Sequence, residues 1–279
     1  MTPDSPITLL SLHLYPVKSC HRIDVRAAVP GERGLQGDRE WMITDAGGRF
    51  LTQRSHPALA LIRPTLEGAA LVLRHPRLTP LSVPQEADGT WVHRTVRIWN
   101  DEVEAAVAGP DACAWISDAI GTEALLVRAG AYTRRQPSGP WRGDRPAPVN
   151  FPDAYPLLVC NRASLDDLNR RLPEPLPMTR FRPNLVIDGL PPYGEDAIEE
   201  LRFGSVRLSL VKACTRCSTT TIDQDSGIVS GNPLAVLKEY RFDRALRGVT
   251  FGQNALLTAG VGSTLAAGDR GVAVHRRAR

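Results

Sequence analysis

Residues 212–223 read Lys212-Ala213-Cys214-Thr215-Arg216-Cys217-Ser218-Thr219-Thr220-Thr221-Ile222-Asp223. This stretch places two thiols, a guanidinium group and a run of hydroxyls directly after residues 206–211, whose alternation of branched and polar residues predicts a half-buried strand. The β-branched residues 219–222 predict a second extended segment. The two cysteines are therefore expected at a strand end or in a tight turn between extended segments.

Several chemistries are open to this cysteine pair. A thiol–disulfide exchange motif uses a helix N-terminus to lower the thiol pKa, and residues 219–222 begin a helix poorly. A structural zinc site needs four ligands, and the sequence has no second Cys or His pair with suitable spacing. Burial of both cysteines as small hydrophobic residues stays open, although Arg216 argues against it. The remaining interpretation is one soft thiolate beside Arg216, suited to a nucleophile or to a transition-metal ligand.

The composition is that of an ordinary globular protein. The chain has 279 residues, enough for two domains, with 42% hydrophobic and 23% charged residues. A net charge of +4 is compatible with an anionic cofactor or an acidic redox partner, and it is too small to indicate nucleic acid. The five cysteines have no disulfide spacing, and neither a membrane span nor a signal peptide is evident. We expect a cytoplasmic monomer that binds neither membranes nor nucleic acid.

Three further motifs carry cations or polar groups. Lys18 and Ser19 follow a predicted strand and Pro16, where they could present an ammonium group and a hydroxyl to a phosphate. Arg39 begins the first strand of a predicted hairpin. Arg182 and Asn184 flank a proline and share one face of an extended segment at a period of two. From the residues alone, Lys18 and Ser19 could also be an exposed turn, Arg39 an exposed strand residue, and Arg182 and Asn184 an ordinary sheet edge.

The rest of the chain predicts many short strands and few helices. Residues 57–107 form short apolar runs broken by turns, which is typical of a barrel or sandwich. Helical spacing predicts a helix over residues 110–120 that ends at Gly121. Ser164 is predicted to cap a short helix, and Asn232 another. Residues 251–256 predict a turn that leads into a strand.

One long loop is predicted between the two halves of the chain. Residues 130–150 contain four arginines and four prolines, which exclude a regular element and leave open a functional loop or a solvated linker. The segment 151–156 ends this loop. From the residues alone, its Asp153 and Tyr155 could be plain turn residues.

The segment Cys214–Cys217, followed by Thr220–Asp223 and Gly227, resembles the signature of the MOSC family, which is named after the C-terminal domain of molybdenum cofactor sulfurase. It is most similar to the branch that contains the mitochondrial amidoxime-reducing component and its bacterial relatives. The resemblance implies a mainly β fold with α-helices (α+β). Residues 1–124 would form an N-terminal MOSC-associated β-rich lobe, and residues 125–279 a C-terminal MOSC β-barrel with short peripheral helices.

The same resemblance implies the site. Cys217 would be the catalytic residue and the metal ligand to molybdenum, with Cys214 as its neighbour in the wall. Asp223 would act as a proton donor or a supporting group. Asn254 stands where the family often has an aromatic residue. The molybdopterin of the molybdenum cofactor would contact Lys18, Ser19, Arg39, Asp153, Tyr155, Arg182, Asn184, Thr215, Arg216 and Asn254.

The activity implied is that of a molybdenum-cofactor-dependent oxidoreductase. It would reduce N-hydroxylated compounds such as amidoximes, hydroxylamines and hydroxylaminopurines, a detoxification reaction. Because the sequence has no ferredoxin-type cysteine cluster and no nucleotide-binding glycine motif, electrons would come from a separate flavoprotein or ferredoxin-type donor. Two alternatives stay open: a noncatalytic carrier of molybdopterin or of sulfur, with Cys217 as a persulfide, and a MOSC protein that binds pyridoxal phosphate.

Overall fold

The computed structural model of the protein describes residues 4–86, 91–137, 141 and 147–277. These residues contain three α-helices, α1 (Pro110–Ile120), α2 (Arg162–Asn169) and α3 (Pro233–Tyr240). They also form the strands β1 (Ser5–Leu14), β2 (Ile23–Val25), β3 (Ala27–Ala28), β4 (Pro30–Gly31), β5 (Gly34–Leu35), β6 (Trp41–Asp45), β7 (Arg63–Glu67), β8 (Ala70–His75), β9 (Leu78–Pro84), β10 (His93–Ile98), β11 (Asp101–Val107), β12 (Ala124–Arg128), β13 (Leu157–Asn161), β14 (Leu185–Asp188), β15 (Ile198–Phe203), β16 (Val206–Thr215), β17 (Phe242–Asp243), β18 (Gly248–Ala259), β19 (Leu265–Ala266) and β20 (Arg270–His275). The mainly β, α+β fold predicted from the sequence is confirmed.

Seven strands close into a barrel. Their order is β13-β14-β1-β20-β15-β16-β18, and β18 pairs back onto β13, for example through Leu157 and Ala255. Closure pairs both ends of the sheet with each other, so the barrel has no free edge. The predicted C-terminal β-barrel is therefore present, with α2 and α3 outside it.

Strand β16 shows why the barrel has a core. Its Val206, Leu208 and Leu210 are buried, whereas the intervening Arg207 and Ser209 are more exposed, as the alternating sequence predicts. Burial of each leucine stabilises the fold by about 1.5–3 kcal/mol. The strand therefore delivers its C-terminal residues, including Cys214, to a fixed position at the end of the barrel.

The N-terminal lobe contains a four-stranded sheet, in the order β10-β11-β12-β6, and the three-stranded sheet β7-β8-β9. Helix α1 packs Ile116 and Ala119 into a core that includes Trp41 and Leu126. The helix ends as predicted, because Gly121 adopts a left-handed conformation with φ 73°.

Hydrogen bonds cross the boundary predicted between residues 124 and 125 at two places. Strand β12, which begins there, pairs with β6 and β11 of the sheet that precedes it. Strand β1, from the beginning of the chain, pairs with β14 and β20 of the barrel. The boundary itself stays a prediction of the sequence.

Two local predictions near the cysteine motif were wrong. The segment predicted to be extended forms a 3-10 turn over Ser218–Thr221. The hydroxyls of Thr220 and Thr221 donate to the carbonyls of Cys217 and Ser218, so local side-chain bonds outweigh the β preference. Residues 251–256 contain no turn and lie entirely within β18.

The two predicted helix caps had different outcomes. Asn232 caps α3, since its side-chain oxygen accepts a hydrogen bond from the backbone of Ala235. Ser164 is not a cap, because α2 begins two residues earlier, at Arg162. Its hydroxyl is instead buried against the Glu195 carboxylate.

None of the helices in the described part of the chain has the length and apolar character that a membrane span requires.

Candidate functional site

A cavity of about 510 Å³ lies where the end of β16 faces loops of the N-terminal lobe. It contains Cys217 and every residue predicted to bind the cofactor. These residues come from widely separated parts of the chain: Lys18, Ser19, Arg39, Asp153, Tyr155, Arg182, Asn184, Thr215, Arg216 and Asn254. The barrel and the lobe thus bring together side chains that the sequence scatters over more than two hundred positions.

Cys217 presents an exposed thiol to this cavity. Its Sγ lies 3.4 Å from the Oγ1 of Thr219. Its backbone is held by the 3-10 turn that follows, because the carbonyl accepts hydrogen bonds from the backbone and hydroxyl of Thr220. The sulfur is therefore accessible while the backbone that carries it is fixed, which suits a nucleophile or a metal ligand.

Arg216 forms a hydrogen bond with Cys214 rather than with Cys217. Its Nη1 donates to the Cys214 Sγ across 2.9 Å, and its Nη2 donates to the carbonyl of Phe181 across 2.7 Å. Burial opposes the charge of Arg216, but the nearby sulfur atoms outweigh it and hold its pKa above the ordinary value. The influence of Arg216 on the Cys217 thiol is electrostatic, without a direct hydrogen bond.

Lys18 is a buried cation in the cavity wall, only 4% exposed. Its Nζ donates to the Phe151 carbonyl at 3.0 Å and to the Asp153 Oδ1 at 2.5 Å. Burial lowers the pKa of Lys18 to about 8, although Asp153 opposes the shift. Desolvation opposes the charge of Asp153, but the Lys18 ammonium outweighs it and holds the pKa of this carboxylate below its ordinary value. Asp153 therefore holds the Lys18 ammonium group in position, whether or not the carboxylate also contacts a ligand.

Two guanidinium groups lie against the same aromatic ring. The Cζ atoms of Arg39 and Arg182 lie 4.4 Å and 4.3 Å from the centroid of the buried Tyr15 ring. Arg39 is also paired with Asp38, its Nη1 lying 2.6 Å from the Oδ2. Tyr15 thus holds two cations close together at the cavity, where like charges would otherwise repel.

Arg182 is bonded to neutral groups. Its Nη1 donates to the Cys20 carbonyl at 2.8 Å and to the Gln224 Oε1 at 2.9 Å. Burial lowers the pKa of Arg182, which shows that its charge is poorly solvated. An anion placed in the cavity would stabilise this charge.

Asn184 lines the cavity, but its side-chain amide makes hydrogen bonds within the protein. Its Oδ1 accepts from the Arg39 Nη1 at 2.8 Å and from the Leu158 backbone at 3.2 Å, while its Nδ2 donates to the His13 carbonyl. The side chain is fully buried. Asn184 therefore positions Arg39, and a direct bond to a ligand would compete with these contacts.

Other predicted residues lie on the walls. Asn254 is opposite Lys212 in the β16–β18 ladder, and Thr215 is opposite Thr250. The Ser19 hydroxyl lies 3.4 Å from the Leu51 carbonyl.

Asp223 is not among the residues that line the cavity. Its carboxylate accepts hydrogen bonds from Asp225 and Ser226 and lies 3.2 Å from Arg180. Desolvation opposes its charge, but the Ser226 hydrogen bonds and Arg180 outweigh it and lower the pKa of Asp223. A carboxyl group in this position shapes the turn after the cysteine motif and is a poor proton donor near neutral pH.

A family described as "MOSC N-terminal beta barrel domain" matches residues 7–123, and one described as "MOSC domain" matches residues 146–271. The chain belongs to the MOSC family.

Several curated MOSC relatives are similar over most of this chain. The human protein named "Mitochondrial amidoxime reducing component 2" is 34% identical over 242 residues, which cover 84% of this chain and 72% of the relative. Human "Mitochondrial amidoxime-reducing component 1" is 36% identical, with the same shares. "Molybdenum cofactor sulfurase" of Oryza sativa subsp. japonica is 34% identical over 256 residues, which cover 85% of this chain and 31% of that longer protein.

The side chains that line the MOSC cavity would fit an anionic molybdopterin ligand. Molybdopterin is anionic, and the cavity combines the soft thiol of Cys217 with the cations Lys18, Arg39, Arg182 and Arg216. No group in the described part of the chain accepts a hydrogen bond from the buried Nε of Arg216, so a donor is left for a ligand. Within the described residues, no three His, Cys, Asp or Glu side chains cluster as metal ligands.

Arg135 lines the MOSC cavity and was not predicted from the sequence as a site residue. It stood out only as one of four arginines in the predicted loop, of which residues 138–140 and 142–146 lie outside the described residues. Arg135 is buried, with its Nε 2.7 Å from Asp101 and its other nitrogens donating to the carbonyls of Pro152 and Asp153. No local pattern distinguishes it from the exposed Arg134, because its role depends on contacts with distant residues.

Other side chains that line the MOSC cavity were given no role from the sequence, because they lie in ordinary strand, hairpin or turn patterns. They include Arg54, Trp99, Phe181 and Lys212, the last of which begins the cysteine-containing stretch.

Proposed function

We propose that this MOSC protein is a molybdenum-cofactor-dependent oxidoreductase that reduces N-hydroxylated compounds such as amidoximes, hydroxylamines and hydroxylaminopurines. The observation that carries the proposal is the convergence of one exposed thiol, Cys217, with four cations from separate segments of the chain in one cavity. The names of the two human relatives, which are amidoxime-reducing components, support the choice of reaction.

The residues that would hold the cofactor follow from their positions. Cys217 would ligate molybdenum through its thiolate. Lys18, Arg39 and Arg182 would neutralise the anionic molybdopterin, with Arg216 donating from its unpaired Nε. When bound, molybdenum would supply the two-electron redox chemistry of the reaction.

The protein would contribute orientation and charge to the reaction. Reduction of an N–OH group to N–H consumes two electrons and two protons and releases one water molecule. Lys18 holds a proton on its Nζ below about pH 8, and Asp153 fixes that ammonium in the wall. The two electrons would come from a separate flavoprotein or ferredoxin-type protein, because the five cysteines have no iron–sulfur spacing.

Metal content and turnover test this proposal together. The purified protein is analysed for bound molybdenum and then assayed for amidoxime reduction with a chemical electron donor. We expect about one molybdenum per chain and turnover, and we expect Cys217→Ala to lose both. The matched control is Cys113→Ala, which removes a thiol from α1, away from the cavity.

Metal-loaded protein without turnover would reject the reductase function. Full activity of Cys217→Ala would reject the ligand assignment. Labelled sulfur recovered on Cys217 in a protein without turnover would indicate a sulfur carrier instead.

A further inference from the structure

Strained backbone is concentrated at the cavity. Among the described residues, six that are not glycine have a positive φ, and four of them line the cavity: Ser19 (67°), Arg39 (47°), Trp99 (55°) and Arg182 (54°). A left-handed conformation strains such a residue, and it is characteristic of functional sites. Three of the four belong to the predicted cofactor set, and Trp99 does not.

Trp99 is an unfavourable residue for the turn that it occupies. It lies in the two-residue turn between β10 and β11, where Ile98 pairs with Asp101. Hairpin turns of this length favour Gly, Asn or Asp where φ is positive, and a bulky aromatic residue is disfavoured there. Since the turn does not benefit from Trp99, the reason for this residue lies in the position of its side chain.

That side chain is held in one orientation. The Nε1 of Trp99 donates to the Asp153 Oδ1 at 3.2 Å, the same oxygen that accepts from Lys18. The centroid of the Trp99 ring lies 5.0 Å from that of Phe50. The guanidinium carbon of Arg54 lies 4.7 Å from the same Trp99 centroid. Despite these contacts, Trp99 is 42% exposed. A large aromatic surface is therefore fixed, partly solvated and continuous with the cavity.

We infer that Trp99 is a substrate platform, on which the ring of a planar aromatic N-hydroxylated substrate stacks. The inference rests on the proposed function and specifies its substrate class. An aryl amidoxime or a hydroxylaminopurine has a flat π face and would bury the exposed surface of the indole, whereas an aliphatic amidoxime would not. Of the cations that suit the anionic molybdopterin, Lys18 is 4% exposed, and Arg39, Arg182 and Arg216 are half-buried. The indole of Trp99 is more exposed than these groups and is therefore open to incoming molecules.

A pair of substrates that differ only in the ring tests this role. Benzamidoxime and acetamidoxime are compared as substrates of the molybdenum-loaded protein, in wild type and in Trp99→Gly, Trp99→Phe and Trp141→Ala. Glycine suits the positive φ of the turn, and phenylalanine keeps an aromatic face. Trp141 is the matched control, because it is 44% exposed and lies outside this cavity.

We expect Trp99→Gly to lower kcat/KM for benzamidoxime by about fivefold to tenfold and to change that for acetamidoxime by less than about twofold. Trp99→Phe should keep most of the activity on benzamidoxime, and Trp141→Ala should resemble wild type. Bound molybdenum should be equal in all four proteins. Equal losses on both amidoximes, or loss of molybdenum from Trp99→Gly, would overturn the platform.

A binding measurement separates this inference from the proposed function. Benzamidoxime should quench the tryptophan fluorescence of wild type, and the quenching should disappear in Trp99→Phe. Loaded wild type that reduces neither amidoxime would reject the proposed function, while the loss of quenching would still support binding at Trp99. Quenching that persists in Trp99→Phe would reject Trp99 as the stacking surface, irrespective of the reductase activity of the protein.

Discussion

The Nη1 of Arg216 donates a hydrogen bond to the Sγ of Cys214 across 2.9 Å. The Nη2 of the same side chain donates to the carbonyl of Phe181, one residue before Arg182. Arg216 thereby ties the end of β16 to the segment that presents Arg182 to the cavity. The two cysteines of one short motif consequently have different surroundings: Cys214 supports the wall, and Cys217 is exposed to the cavity.

Replacement of Cys214 should affect stability more than metal binding. Cys214→Ala removes the acceptor of the buried Arg216 Nη1, so we expect the free energy of unfolding to fall by about 1–2 kcal/mol. Bound molybdenum should be retained, because Cys217 is unchanged. Urea unfolding and metal analysis measure the two effects, with Cys113→Ala as the thiol control. A Cys214→Ala protein as poor in molybdenum as Cys217→Ala would show that both sulfurs are ligands.

Arg135 should be essential for the loop that carries Asp153. Arg135→Met leaves the carbonyls of Pro152 and Asp153 without their donors and Asp101 without its cation, so we expect a loss of about 2–4 kcal/mol in the free energy of unfolding.

The neighbouring Arg134 is exposed and provides the control. Arg134→Met should change the free energy of unfolding by less than about 0.5 kcal/mol. Comparable losses in the two variants, measured by chemical denaturation, would contradict the role assigned to Arg135.

Lys18 should make stability depend on pH in the alkaline range. Its pKa is about 8 in the folded protein and 10.5 as the ordinary value, so folding releases this proton between those pH values. The contribution of Lys18 to the free energy of unfolding therefore becomes more favourable as the pH rises from 8 to 10.5, by at most about 3 kcal/mol.

Lys18→Met removes the titrating group and provides the comparison. As the pH rises from 8 to 10.5, the unfolding free energy of wild type should increase relative to that of Lys18→Met. Asp153 does not titrate there, since its pKa is held below its ordinary acidic value. A difference that is constant from pH 7 to 10.5 would show that Lys18 titrates as an ordinary lysine.

Glu195 should make the protein less stable as the pH rises, in contrast to Lys18, and at lower pH values. Burial raises the pKa of this fully buried carboxyl group from 4.5 to about 7. The folded protein holds the proton that the unfolded chain loses, so this stabilisation is complete below pH 4.5 and is lost as the pH rises through 7.

Glu195→Gln stays neutral at every pH and can still accept a hydrogen bond from the Ser164 hydroxyl. We expect its free energy of unfolding to exceed that of wild type by about 1–2 kcal/mol at pH 8 and to be similar at pH 5. Urea unfolding at the two pH values is the measurement. If the two proteins differed in unfolding free energy by the same amount at pH 5 and pH 8, the folded protein would carry the same charge on Glu195 at both pH values.

The elements that sequence analysis predicted correctly depend on local signals. The alternation over residues 206–211 places Leu208 and Leu210 inside the barrel. Gly121 ends α1, and Asn232 caps α3. Each of these signals acts within one turn or one strand, so no knowledge of distant residues is needed.

The predictions that failed depend on competing contacts. Residues 219–222 have a β preference, but the hydroxyls of Thr220 and Thr221 satisfy the carbonyls of a 3-10 turn. Ser164 has the spacing of a capping box, but its hydroxyl is bonded to the buried Glu195, 31 positions away. Arg135 and Trp99 were missed because their partners also lie far along the chain.

By itself, the sequence determined the α+β class, the family and the set of chemical groups from which a site could be built: one pair of thiols, several cations and a few polar side chains. The tertiary structure alone decided how these groups are arranged. It brings Lys18 to the carbonyl of Phe151, 133 positions away, bonds Arg216 to Cys214, leaves Cys217 exposed and keeps Asp223 out of the cavity. The physical reason is that propensity and periodicity act over a few residues, whereas a binding cavity forms only when barrel closure and lobe packing bring distant segments together.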